Sequence, residues 1–188
     1  YEAGSTLETL VHQFSDPYAF LRELIQNSLD AGSGRVDVHT EYRPARQDGE
    51  PGTALFTVED SGEGMDREII DSQLTRLFSS SKEGDLTKIG KFGIGFVSVF
   101  ALEPACVVVD TGRDGQSWRI LFHPDHSFER IVLDSPTEGT RVQVYKPTSP
   151  EAFEEMRARG LEAVTRWCKH CDTDICYDGV RINQPFVL

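Results

Sequence analysis

Apolar positions between Phe14 and Asp30 follow a helical period, with Phe20, Leu21, Leu24, Ile25 and Leu29 on one broad face. Asp16-Pro17 supplies a cap and a first-turn proline, and Ala31-Gly32 supplies a stop, so a helix is predicted over 14–30. Val36-Asp37-Val38 and Ala54 to Val58 are strand-like and flank a polar hairpin loop from Pro44 to Gly52. Arg67 to Phe78 is predicted helical, Ser79 to Lys88 a mobile loop, and Gly90 to Phe100 a glycine-rich entry into an apolar helix. Strands are predicted at Ala105 to Asp110, Ser117 to Phe122, Phe128 to Leu133 and Thr140 to Lys146. A helix follows over Glu151 to Lys169, then a hairpin from Ile175 to Ile182 turning at Asp178-Gly179. Helices in blocks beside consecutive strands predict an α+β fold, a mixed, mostly antiparallel sheet with helices on one face. No repeat or linker divides the chain.

Its 188 residues suit one sizeable domain, and 38% hydrophobic with 27% charged residues excludes disorder and a membrane protein as the class. The longest apolar runs, such as Ala105 to Val109, are too short to span a bilayer. Thirty-one acidic against nineteen basic residues gives a net charge of -12, which argues against direct nucleic-acid binding by a broad basic surface. The chain begins at Tyr1 rather than Met and stops at Val187-Leu188, as a segment cut from a longer protein would. Cys168, Cys171 and Cys176 form C-x2-C-x4-C, with His170 as the only nearby fourth ligand in a cramped position. Together with Cys106 they are expected to be reduced structural thiols of a cytoplasmic protein.

Three segments carry chemistry. Glu23, Asn27 and Asp30 recur at i, i+4 and i+7, on one stripe of the first helix. They form either a solvated polar face or a nucleotide-binding one. In the second case the Asn27 amide oxygen suits Mg²⁺ and Glu23, one turn earlier, suits proton abstraction from water. Asp60-Ser61-Gly62-Glu63-Gly64-Met65 ends a hydrophobic strand. It is either a tight turn or a carboxylate placed to accept from an exocyclic amine, with glycines for close approach and Met65 for contact with a ring. Gly90-Lys91-Phe92-Gly93-Ile94-Gly95-Phe96 precedes an apolar stretch and predicts a loop whose amides face an anion. Its spacing fits neither a P-loop nor a Rossmann turn.

These segments, in this order, resemble the motifs of the GHKL ATPases: DNA gyrase, heat-shock protein 90, histidine kinases and MutL. The resemblance is carried by Glu23 to Gly32, Asp60 to Met65 and Gly90 to Phe96, with Glu138-Gly139-Thr140-Arg141-Val142 as a fourth box, over roughly Leu7 to Lys146. It implies the Bergerat fold, a two-layer α/β sandwich, with residues 1–150 as the ATP-binding domain. Residues 151–188 would be a C-terminal helix and hairpin extension leading to a missing downstream domain.

The resemblance also implies roles. Glu23 matches the general base, and Asn27 the Mg²⁺ ligand. Asp30 and Ala31 match pocket residues, and Asp60 the adenine-binding aspartate, with Gly64 and Met65 beside the ring. Thr140 supports Asp60. Phe92, Gly93, Ile94, Gly95 and Phe96 lie against the phosphates, with Lys82 and Lys91 as phosphate-reaching candidates. The segment from Ser79 to Lys88 corresponds to an ATP lid. Histidine kinases match least well. Phe20 to Ile25 and Ile89 to Phe100 are similar to heat-shock protein 90, whereas Asn27 to Gly32 with Arg35 to Val38 is similar to MutL. The first set is longer and makes a heat-shock-protein-90-like ATPase the leading expectation. ATP and ADP would be its ligands, with a homodimer formed through ATP-dependent closure and protein clients as partners. The alternatives are a module of a DNA-repair or topology protein and a non-hydrolysing regulatory module. Because relatives receive a basic residue from a following domain, slow hydrolysis is expected of this chain alone.

Overall fold

The computed structural model of the chain describes residues 3–79 and 91–183. Eight strands form one sheet: β1 (Arg35–Arg43), β2 (Gly52–Asp60), β3 (Cys106–Arg113), β4 (Gln116–Phe122), β5 (Phe128–Val132), β6 (Gly139–Thr148), β7 (Asp174–Tyr177) and β8 (Val180–Arg181). Their order is β5-β4-β3-β6-β2-β1-β7-β8. Every adjacent pair is antiparallel except β1 with β7. The helices are α1 (Ala3–His12), α2 (Ala19–Asp30), α3 (Arg67–Ile69), α4 (Arg76–Ser79), α5 (Lys91–Phe96) and α6 (Pro150–Cys168). A π-helical turn, Ile70–Leu74, joins α3 to α4, and a 3₁₀ segment, Val97–Leu102, continues α5. The protein is thus α+β, a mixed and mostly antiparallel sheet under a layer of helices.

Alternation along the strands decides which side chains meet that layer. Val36 and Val38 of β1, Phe56 and Val58 of β2, Val107 and Val109 of β3 and Ile120 and Phe122 of β4 are all at most 3% exposed. Phe20 of α2 meets Phe56 edge-on at 5.8 Å, and Phe122 collects Phe78 at 4.8 Å and Phe96 at 5.0 Å. Helix α6 closes on the same core through Gly160, where a Cβ would lie 2.6 Å from the Tyr177 hydroxyl and 3.2 Å from Leu21 Cδ1. That hydroxyl donates to the Arg157 carbonyl of α6 at 2.8 Å. Asn183 secures the end of this unit: its Oδ1 accepts from Ile175 N–H, and its Nδ2 donates to the Cys171 and Thr173 carbonyls.

Three sequence expectations change. The first long helix starts at Ala19, not Phe14, because the Asp16 carboxylate accepts from Tyr18 N–H at 2.9 Å and holds Asp16-Pro17 in a turn outside the helix. Helix α1 precedes it and was not anticipated. Lys91 to Phe96, expected as a loop ahead of a helix, is itself helical, so its glycines lie within α5. The predicted hairpin at Asp178-Gly179 is present, with φ of 48° and 82°, the two positive values a type I′ turn needs. Residues 80–88 of the expected mobile loop lie outside the described residues.

On the sheet face away from the helices, Asp110 is buried beneath two arginines. Arg119 grips it through both carboxylate oxygens, at 2.7 and 2.9 Å, and Arg141 Nη2 adds a contact at 2.8 Å. Burial alone would raise this carboxyl, but the two guanidiniums outweigh it and hold it below the usual aspartate range. Its stabilising contribution is therefore complete above about pH 4 and is lost as pH falls through the lowered native value. Asp110→Asn should cost about 1–2 kcal/mol at neutral pH, a figure reduced because both arginines are about 40% exposed. It should also flatten the stability decline below about pH 4. Urea unfolding from pH 2 to 7 checks both, and an unchanged acid slope would remove Asp110 as its source.

Candidate functional site

The turn that leaves β2 builds one end of a cavity of about 260 Å³ between α2 and the sheet. Asp60, last residue of β2, has a carboxylate already engaged by three donors. The Ser28 hydroxyl donates to Oδ2 at 2.6 Å, while the backbone N–H groups of Gly62 and Thr140 donate to Oδ1 at 2.9 and 3.2 Å. These contacts fix the carboxylate without exhausting its lone pairs. Gly64 has φ of 70°, and a Cβ there would run into the Gly112 carbonyl; Gly139, with φ of 69°, would likewise collide with the Asp60 carbonyl. Two backbone contacts that only glycine permits hold the turn against the ends of β3 and β6. Thr111 bridges the same strands: its hydroxyl accepts from Met65 N–H at 2.8 Å and lies 2.9 Å from Thr140 Oγ1.

Of the residues expected from sequence, Asn27, Asp30, Ala31, Asp60, Gly64, Met65, Phe96 and Thr140 line this cavity. Asp30 is exposed at its rim and accepts from Gln26 Nε2. The Asn27 amide nitrogen is buried and has no hydrogen-bond partner among the described residues. A buried, unpaired amide is costly unless something else meets it. Glu23 does not line the cavity; one turn earlier on α2, it sits against α5, where a Cβ on Gly95 would come within 2.8 Å of Glu23 Oε2. Gly93 and Gly95 are buried in α5 and Ile94 is 37% exposed. Lys91 and Phe92 begin that helix, and Lys82 lies outside the described residues.

Sequence reasoning missed several lining residues. Val58, Val109, Val142 and Leu74 give the cavity apolar walls, and Ser28 touches Asp60 directly. Arg113 and Glu63 also line it, paired at 3.3 Å. Ser28 stands beside Asn27 and Thr111 on a buried strand position, but only the tertiary pairing of α2, β2, β3 and β6 reveals their use.

The cysteines form no common site. Tyr177 reaches toward α6, so its neighbour Cys176 points to the opposite face of the sheet, away from Cys168 and Cys171 at the end of α6. All four thiols are free, and burial pushes that of Cys168 up to about 12. Among the described residues no cluster of three or more His, Cys, Asp or Glu could hold a metal, and no helix is long and apolar enough to cross a membrane.

A helix carrying Asn27 over an antiparallel sheet, with a strand-end aspartate and a glycine turn closing the pocket, is the arrangement of a GHKL ATPase domain. Residues 17–144 match the family described as histidine kinase-, DNA gyrase B-, and HSP90-like ATPase, and the chain belongs to it. Similar proteins include the chaperone protein HtpG of Chlorobium luteolum, 30% identical over all of this chain and 34% of its own length. HtpG of Anaplasma phagocytophilum is 31% identical over 90% of this chain and 30% of its own, and HtpG of Coxiella burnetii 29% identical over the same shares. The chain thus spans about a third of the length of these relatives.

Proposed function

We propose that this domain binds Mg·ATP in the cavity under α2 and hydrolyses it to ADP and phosphate, in a larger heat-shock-protein-90-like protein. The observation that carries this reading is one cavity lined both by Asn27 of α2, whose buried amide nitrogen has no partner among the described residues, and by a carboxylate at the end of β2, Asp60, fixed by three donors. Asp60 accepts from the adenine amine, and Met65, Val58, Val109 and Val142 pack the ring. Asp30 and Ala31 lie beyond it at the rim.

Asn27 fits a magnesium-bound triphosphate, since an amide is a neutral oxygen donor for a hard cation and its partnerless nitrogen can turn to place that oxygen in the cavity. When bound, Mg²⁺ offsets phosphate charge. This matters because Asp30, Asp60 and Glu63 make the cavity acidic. Glu23, on the Gly95 side, orients the attacking water and takes its proton, and the backbone of Gly93 to Phe96 lies against the phosphates. Lys82 and Lys91 remain the candidate phosphate cations.

On this reading residues 1–150 hold the nucleotide, and 151–188 belong to the same domain, with α6 packed against α2. Residues 79–88 act as a lid whose closure promotes a homodimer. Turnover by these 188 residues alone is slow, and protein clients and a cytoplasmic setting follow the HtpG likeness.

Titration calorimetry with ATP, with and without Mg²⁺, and with adenosine tests the assignment. Asn27→Ala should reduce Mg·ATP affinity at least tenfold, about 1.4 kcal/mol, while changing adenosine affinity less than threefold. Equal losses for both ligands would move Asn27 to the base end, and no binding of either by the parent chain would defeat the proposal.

A further inference from the structure

The cavity has a preferred direction. Helix α2 runs from Glu23, beside Gly95, past Asn27 to Ala31, whose carbonyl accepts from Glu63 N–H at 3.1 Å. Glu63 and Arg113 therefore stand at the Asp60 end, the end assigned to the base. Their ion pair, 3.3 Å between Arg113 Nη1 and Glu63 Oε2, is more than a surface contact. Both residues line the proposed nucleotide cavity, and both also line a second cavity of about 490 Å³ behind the Asp60 turn. The pair is the partition between the two. Arg113 is about a third exposed, whereas Glu63 is mostly exposed, so the guanidinium is the more enclosed partner.

Among the charged side chains lining the cavity, Arg113 alone can donate, beside the neutral donors of Thr140 and Gln73. Asp30, Asp60 and Glu63 supply acceptors, and Arg113 is the one basic side chain lining the cavity among the described residues. Adenine is not one-sided: its exocyclic amine donates, while its ring nitrogens accept. A carboxylate satisfies the amine but cannot donate to a ring nitrogen, whose desolvation is costly in an apolar slot walled by Val58, Val109 and Val142. A guanidinium at the same end supplies that donor, and its fixed fork makes the geometry selective.

Resting on the proposed nucleotide function, the geometry points to Arg113 as a specificity-determining residue that donates to an acceptor nitrogen of the adenine ring. Glu63 acts as a positioning residue that holds the guanidinium at the partition. The two sides of the base are then read by opposite signs, Asp60 accepting and Arg113 donating. Asp114, whose carboxylate lies 3.7 Å from Arg113 Nε, helps retain the guanidinium there.

A chemical double-mutant cycle tests this, using ADP and its 1-deaza, 3-deaza and 7-deaza analogues, each lacking one ring acceptor. The parent chain should lose about tenfold in affinity for one analogue. In Arg113→Ala that penalty should vanish, because the donor is already gone. Arg113→Lys, which keeps the charge but not the fork, should shrink it, and Glu63→Gln should reduce it partially while leaving the thermal unfolding midpoint within a few degrees. The lysine and glutamine variants carry the test should the alanine variant fail to fold. If no analogue is penalised in the parent chain, or if the penalty persists unchanged in the Arg113 variants, Arg113 does not touch the base. Absence of any ADP binding by the parent chain is a distinct result, which removes the nucleotide reading and this inference together.

Discussion

Glu23→Gln should leave Mg·ATP bound within about threefold of the parent affinity and lower the hydrolysis rate by about 10²–10⁴, the usual contribution of a positioned general base. That is about 3–5 kcal/mol of transition-state stabilisation. The substitution is nearly isosteric, which matters here because the carboxylate is packed against α5. Gly95 leaves just enough room for it, a Cβ at that position lying 2.8 Å from Oε2. Glutamine keeps the volume and the hydrogen-bonding reach but cannot accept the proton of an attacking water. Single-turnover measurement of ADP formation, preferably in the longest soluble version of the protein, separates this chemistry from binding and product release. Hydrolysis at the parent rate would show that another group takes the proton.

The second large effect falls on binding. Asp60→Asn should weaken ATP, ADP and adenosine by the same factor, about 10–150-fold, equivalent to 1.5–3 kcal/mol for one charge-assisted hydrogen bond. The unliganded fold can absorb the change. An asparagine oxygen can still accept from the Gly62 and Thr140 N–H groups, and its amide nitrogen can donate to the Ser28 hydroxyl. What it cannot do is present a second acceptor to a base amine, since a donor now occupies that place. Calorimetry across the three ligands makes the distinction: equal losses locate Asp60 at the base, a loss confined to ATP locates it at the phosphates, and unchanged affinities remove it from the site.

Short-range signals were legible wherever the chemistry is local. The stripe of Glu23, Asn27 and Asp30 is set by helical period, and the structure carries all three on α2, though only Asn27 and Asp30 line the cavity. Strand positions were read correctly in kind, but the first two were read too short. β1 and β2 extend to Arg43 and from Gly52 because each is paired along its length, a gain that no window of sequence contains. The glycine segment misled for a related reason. Glycine is a poor helix former in isolation, yet in α5 the buried Gly95 lets the helix lie against Glu23, and packing outweighs propensity.

The Arg113–Glu63 partition was invisible for a simpler reason: fifty positions separate its members, and each is an ordinary charged residue, one in a turn and one at a strand end. Sequence could show that four boxes occur in order. It could not show that a residue from β3, outside all four, closes the pocket they build.

Helix α2 has a consequence of its own. Glu23 and Asp30 are seven residues apart, so about 10 Å of rigid helix fixes the spacing between the carboxylate proposed as general base and the cavity rim proposed to hold the adenine. The helix therefore behaves as a ruler. A residue inserted between Glu23 and Ala31 would rotate one end by about 100° relative to the other and shift it by about 1.5 Å, leaving either the base or the water misaddressed. Substitutions along this stretch can be compensated one at a time, but its length cannot change without uncoupling recognition from chemistry.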